Sequence, residues 1–269
     1  MLAETLGVLT GGYLMLLGGM AAVQRDMIYH PSAEGADPAG AGVPEMVPVP
    51  VRAADGVVVT GWYAPAPQPN AATVVLFHGN ARSVSCRAHK ARRLLDAGFG
   101  VFLAEYRGYG GNAGRPSEQG LYADARAVLA WLMSQGVTVD TTVLYGESLG
   151  SGIAVQMAAE YGVAALLLEA PFTRLPDLAP AFVPPPLAQL MMLDHFDSRA
   201  KIGQSTMPLL VMHGERDWVV PTTMGREILA AAESSSHREG MFPAAAGHND
   251  LWDHGAGDRT IDFIRRMLG

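Results

Sequence analysis

A single cysteine, Cys86, stands in 269 residues. No intramolecular disulfide can form, so the fold does not depend on an oxidising compartment. Arg82 and Arg87 flank Cys86 as a candidate reactive thiol, but no Cys–His arrangement supports it as a nucleophile. Positive charge is short as well: 19 Lys and Arg face 26 Asp and Glu, a net charge of −7, with no basic stripe. That excludes the electrostatic footprint of a nucleic-acid binder. The histidines show no ligand spacing with cysteine or carboxylates, so neither a metal site nor a cofactor is expected. Internal repeats are absent, and the methionines are scattered rather than aligned in a stripe. What remains is a chain with 49% hydrophobic residues, enough for a substantial core, and a length that suits one large α/β domain or two small ones.

Charge is also missing from Thr5 to Gln24. At helical rise this run spans roughly 30 Å, about one hydrocarbon core. Its glycines, Gly7, Gly11, Gly12, Gly18 and Gly19, weaken an insertion signal without removing it. A cleaved signal segment would want a basic residue before the apolar run, yet only Glu4 precedes it and the first basic residue is Arg25. The expectation is therefore an uncleaved membrane anchor over residues 1–26, making the protein membrane-associated through one N-terminal helix. The alternatives are a signal segment with a poor cleavage site at Met20-Ala21-Ala22, giving a periplasmic or secreted protein, and a helix packed on the domain. Arg25 and Asp26 nearly cancel, so the side of the membrane stays open.

After a Pro-, Gly- and Ala-rich connection, strand-like and helix-like runs alternate through residues 27–269. Strands are expected at 46–51, 57–63, 74–77, 101–104, 142–145, 165–169, 209–213 and 238–242, and helices at 83–97, 117–135, 149–161, 222–232 and 251–267. The first two strands follow one another across Ala54-Asp55-Gly56, as an antiparallel pair would, and helices separate the later ones, as a parallel sheet requires. The fold class expected is α/β: a doubly wound, mostly parallel sheet of about eight strands with an antiparallel edge. One stretch breaks the rhythm. Residues 172–204 are rich in Pro, Leu and Met and read either as a small lid or as a connecting helix with a rigid proline turn.

The chemistry gathers around Gly146-Glu147-Ser148-Leu149-Gly150, which lies between a strand and a helix. A G-x-S-x-G sequence in that context places its serine on a strained turn, with small flanking residues to avoid collision with the neighbouring strand and helix. The helix that follows aims its N-terminal N–H groups at the serine, where negative charge develops in acyl transfer. A base is available at His248, in Gly247-His248-Asn249-Asp250 after the last strand, and an orienting carboxylate at Asp217 in the loop after the seventh strand. Glu215 is the rival orienter. Asp250 reads as a charge at a helix start, and His254 as exposed. The expected roles are attack by Ser148, proton transfer by His248, and orientation of the imidazole by Asp217. The oxyanion would bind the N–H groups of Leu149 and Asn80, the latter in Phe77-His78-Gly79-Asn80-Ala81. His78 reads as a structural residue that hydrogen-bonds this loop.

The order Ser148, Asp217, His248, together with the motifs around it, resembles the α/β-hydrolase superfamily. Within it the chain resembles the membrane-anchored Bem46-like serine hydrolases, a group that includes relatives of alpha/beta hydrolase domain-containing proteins 13 and 17. The resemblance runs through Tyr29-His30-Pro31, His78-Gly79-Asn80-Ala81, Glu105-Tyr106-Arg107-Gly108-Tyr109-Gly110, Gly114-Arg115-Pro116-Ser117-Glu118, the Ser148 turn, Ala170-Pro171-Phe172-Thr173, the Asp217 loop and the His248 loop. It departs from many relatives at Gly111-Asn112, where they carry a serine. The resemblance implies hydrolysis of carboxylic esters or thioesters through an acyl-enzyme, with a small-molecule or acyl substrate. A peptidase of the same fold and a non-catalytic binding or scaffold protein are the other readings, since fold alone does not fix function.

Overall fold

The structure, a computed structural model, describes residues 2–32, 35–179 and 183–269, with side chains from residue 11 onward except at 14. Residues 180–182 of the segment expected as a lid or connector lie outside the described residues, as do the side chains of the first part of the apolar run. The chain begins with α1 (Leu2–Ile28). The sheet then takes its first strands, β1 (Val47–Arg52), β2 (Val58–Ala64) and β3 (Thr73–Phe77). Next come α2 (Ala88–Asp96), β4 (Gly100–Ala104), α3 (Glu118–Ser134) and β5 (Thr142–Glu147). They lead into α4 (Leu149–Tyr161) and β6 (Ala165–Glu169). Two short helices, α5 (Pro185–Met191) and α6 (Ser198–Ile202), precede β7 (Leu209–Met212). The chain ends with α7 (Thr222–Ala231), β8 (Arg238–Met241) and α8 (Ala256–Leu268).

The eight strands lie in the order β8-β7-β6-β5-β3-β4-β2-β1. Pairing is parallel from β8 through β4 and antiparallel at β4–β2 and β2–β1. Pro48 and Pro50 fall in β1, the outermost strand, where proline's missing N–H costs no ladder bond. Alternation along the central strands feeds two cores, as a sheet covered on both faces requires. Val75 and Phe77 of β3 join α3 and α4 residues such as Leu129 and Ile153 on one face. Val74 and Leu76 join Leu94 of α2 and Phe263 of α8 on the other.

Two helices depart from their expected bounds by more than one residue at an end. The expected helix at 83–97 opens as a 3-10 turn, Val84–Arg87, before α2. The last one is interrupted at Gly255, whose φ of 92° ends the turn Leu251–His254 before α8 begins. The connection after α1 is not wholly irregular: His30–Pro31 pairs with Ala81–Arg82 in a short parallel ladder.

The largest correction concerns the N-terminus. Among the described residues no helix is long and apolar enough to cross a membrane. This overturns the expected anchor over residues 1–26, and with it the membrane-associated localisation and the membrane as a partner. The reason lies along α1. Gly11, Gly12, Gly18 and Gly19 dilute its apolar content, and its second half is occupied with the rest of the chain. Leu17 packs on Val183 and Ala188. Gln24 donates to the Met191 carbonyl and accepts from the Leu193 N–H, and Arg25 pairs with Asp194.

Candidate active site

Strand ends set the position of every candidate residue. β3 and β5 are neighbours in register, Phe77 opposite Gly146, so the turns that follow them lie side by side. The chain leaves β3 toward β4 on one side and returns to β5 on the other, and this is the switch point at which open α/β sheets build their sites.

Ser148 follows β5 directly and adopts φ 51° and ψ −115°, a strained conformation for a side-chain-bearing residue. Close packing enforces it. A Cβ on Gly146 would sit 2.6 Å from the Gly150 carbonyl oxygen, and one on Gly150 only 2.0 Å from that of Phe77. The Ser148 N–H donates to the Glu169 carbonyl at 2.8 Å, fixing the turn against β6. α4 starts at the next residue, with the positive end of its dipole at the serine.

The Ser148 Oγ–H reaches His248 Nε2 at 3.1 Å, and the His248 Nδ1–H donates to Asp217 Oδ2 at 2.7 Å. The other oxygen, Oδ1, accepts the Val219 and Val220 N–H groups, each at 2.8 Å. His213, fully buried, adds a donor that sequence reading missed: its Nε2 lies 3.1 Å from Asp217 Oδ2 and 3.0 Å from the Val220 carbonyl. Burial alone would raise the Asp217 carboxyl, but hydrogen bonds from His213, His248 and the Val220 N–H outweigh it and hold the group well below the usual carboxylate range. The rival Glu215 pairs instead with Arg226 on the surface. Asp250 accepts the Gly247 N–H at 2.7 Å, and His254 is exposed.

Asn80 and Leu149 flank Ser148 in one cavity. The Asn80 carbonyl accepts from His30 N–H at 2.9 Å and Tyr109 Oη–H at 2.8 Å, and its side-chain amide donates to the Ile28 carbonyl at 2.9 Å. Its N–H carries no hydrogen bond among the described residues. A Cβ on Gly79 would lie 3.2 Å from Glu147 Oε1 and 3.4 Å from Ser148 Cβ, so the glycine lets the loop pack tightly against the Ser148 turn. His78 is held on both nitrogens, Nδ1 by the Gly79 carbonyl and Nε2 by Glu105 Oε1, each at 2.7 Å, so it braces the loop. Asn112, at the departure from the relatives' pattern, accepts the Thr60 N–H at 2.9 Å and ties its loop to β2.

Behind the serine lies a buried ionic cluster. Lys90 Nζ sits 2.7 Å from Glu147 Oε2 and 2.6 Å from Glu169 Oε2. Arg87 closes on Glu147, and Tyr145 Oη–H and Trp252 Nε1–H donate to Glu169. Two cations balance two carboxylates, the condition for keeping charge out of water. Burial alone would drive the Glu147 carboxyl up, but Lys90 and Arg87 hold it well below its ordinary value. Two signals in the sequence could have pointed here: a glutamate that ends each of two apolar strands, β5 and β6, and a lysine among Ala88, Ala91 and Leu94 on the buried face of α2.

Fold and arrangement together are those of a hydrolase. A family model described as serine aminopeptidase, S33, matches residues 68–196. Alpha/beta hydrolase domain-containing protein 17B of Homo sapiens is 32% identical over 211 residues, 74% of this chain and 69% of that protein. An uncharacterized protein of Mycobacterium tuberculosis is 41% identical over 249 residues, covering 91% of this chain and 87% of the relative. Among solved structures, the Pyrococcus furiosus esterase Pf2001 shares the fold with a TM-score of 0.73 at 18% identity, covering 89% of this chain and 100% of that one. An alpha-beta hydrolase from Vibrio vulnificus gives 0.67 at 22% identity, covering 82% and 81%. The chain belongs to the α/β-hydrolase superfamily, with the human 17B protein among its relatives.

Proposed function

We propose that this hydrolase is a serine esterase that cleaves carboxylic esters or thioesters through an acyl-enzyme on Ser148. The observation that carries the reading is the continuous relay Ser148 Oγ, His248, Asp217, at 3.1 and 2.7 Å, opening onto an apolar cavity. Ser148 attacks the acyl carbonyl while His248 Nε2 takes its proton, and Asp217 holds the imidazole tautomer and stabilises the imidazolium. The oxyanion accepts the Leu149 and Asn80 N–H groups, whose individual loss typically costs about 10²–10³ in rate. His248 then protonates the departing alcohol or thiol, and water repeats the sequence on the acyl-serine.

The serine aminopeptidase description of the matching family model raises the peptidase reading. An aminopeptidase must bind a substrate ammonium, and among the described residues the cavity is lined by no acidic side chain; its polar side chains are Gln24, Asn80 and Ser148. This favours an uncharged acyl group. The test is hydrolysis of p-nitrophenyl esters by the full chain beside Ser148→Ala. An acyl-enzyme burst that Ser148→Ala abolishes supports the reading. A folded wild-type protein without turnover, or turnover untouched by Ser148→Ala, sinks it.

A further inference from the structure

The cavity that opens at Ser148 has a volume of about 350 Å³, within the range of small-molecule sites. One of its walls is α1. Leu17, Met20, Ala21, Gln24 and Ile28 all line it, and their spacing of three and four residues places them on a single helix stripe. The stripe faces inward: Leu17 is 4% exposed, whereas its neighbours Leu16 and Met15 are 51% and 79% exposed. The stripe also has a direction. Ile28 lies at the serine end, its carbonyl held by the Asn80 side chain at 2.9 Å. Leu17 lies eleven residues away, about 16 Å along the helix axis, and there it meets Val183 and Ala188 of the opposite wall.

A dedicated latch holds α1 in place. Asp194, 1% exposed, accepts Arg25 Nε and Nη2 at 2.9 and 3.1 Å and Tyr29 Oη–H at 3.0 Å, and it caps α3 through the Glu118 N–H at 3.0 Å. Gln24 completes the attachment with the Leu193 N–H at 2.7 Å and the Met191 carbonyl at 3.2 Å.

We propose that α1 is the specificity wall of the site: its inner stripe forms the length of a channel for a straight, uncharged acyl chain, Leu17 sets the ceiling on chain length, and the Arg25–Asp194 latch keeps the wall closed. The proposal rests on the esterase reading above and deepens it by naming the substrate class. An extended chain advances about 1.2 Å per bond, as the peptide backbone does over its three bonds per residue, so 16 Å of channel takes about thirteen bonds, an acyl group of roughly fourteen carbons. Each methylene that the channel buries is worth up to roughly fourfold in kcat/KM.

The experiment uses the full chain and p-nitrophenyl esters from butyryl to palmitoyl, below their aggregation limits. Ratios of kcat/KM between two esters on one protein cancel any difference in active fraction. For the wild type, kcat/KM rises to a maximum near fourteen carbons and falls at palmitoyl. Leu17→Trp lowers the decanoyl-to-butyryl ratio at least tenfold, and Leu17→Ala moves the maximum to longer chains. Arg25→Gln, which loosens the latch without entering the channel, raises the palmitoyl-to-decanoyl ratio at least threefold. Ratios within twofold of wild type in folded Leu17→Trp and Arg25→Gln proteins overturn the wall while leaving the esterase standing. A wild type that turns over no ester overturns the esterase reading and the wall with it.

Discussion

Removing the Lys90 ammonium tests whether the buried cluster behind Ser148 holds the turn or merely fills space. Lys90 is 5% exposed and touches both Glu147 and Glu169. In Lys90→Met the volume is nearly kept, but two buried carboxylates share one remaining cation, Arg87, which reaches only Glu147. Deleting one partner of a buried ion pair costs about 3–5 kcal/mol. Glu147 keeps Arg87, and Glu169 keeps Tyr145 and Trp252 as donors, so the lower end, about 3 kcal/mol, is expected. At about 2–4 °C per kcal/mol for a chain of this size, Tm falls by roughly 6–12 °C. Scanning calorimetry at neutral pH measures it. The double variant Lys90→Met/Glu169→Gln removes the uncompensated charge and recovers about 1 kcal/mol or more. Because Glu147 adjoins Ser148, the single variant also loses kcat for any ester the wild type cleaves. A Tm within a degree of wild type, or a double variant less stable than the single one, would refute the argument that charge balance holds this turn.

Three further outcomes follow from the same geometry. Gly150→Ala puts a methyl 2.0 Å from the Phe77 carbonyl oxygen, so β3 and α4 must separate; a loss of about 3 kcal/mol or more is expected in denaturant unfolding, and wild-type stability would show that the contact is relieved cheaply. Asp217→Asn leaves the fold intact but removes the anchor of the His248 tautomer, and a fall of about 10⁴ in kcat is expected, the loss known for this substitution in a serine protease triad; a loss below tenfold would assign orientation to another group. Glu239 is held down to about 2, chiefly by Arg266, with His237 and Arg259 adding to it against a burial penalty. A depressed carboxyl gives stability that is present above its unfolded value of about 4.3 and disappears as pH falls toward its folded value, so Glu239→Gln flattens the dependence of Tm on pH between those limits, and parallel curves would dismiss the linkage.

The architecture can be read from the chain alone, because the signals for it are local. Strand and helix alternation is written in the period of the apolar residues, and Gly146 and Gly150 can flank Ser148 only in a tight strand-to-helix turn. The chain order of Ser148, Asp217 and His248 was legible for the same reason: each sits in a loop that its neighbouring elements define. Other features exist only once distant segments meet. The Lys90–Glu147–Glu169 cluster joins residues 57 and 79 positions apart, and the His213 bond to Asp217 depends on the curl of a loop, so neither has a periodic trace. The N-terminal run shows the limit most clearly. A stretch without charge reads as a membrane anchor when its missing charge outweighs its glycines, although those glycines leave α1 too little apolar to span. What α1 packs against is hidden for another reason: its partner Asp194 lies 169 residues from Arg25 in the chain and 2.9 Å from it in space. Burial is a property of pairs of distant segments, and a sequence window contains one member of each pair.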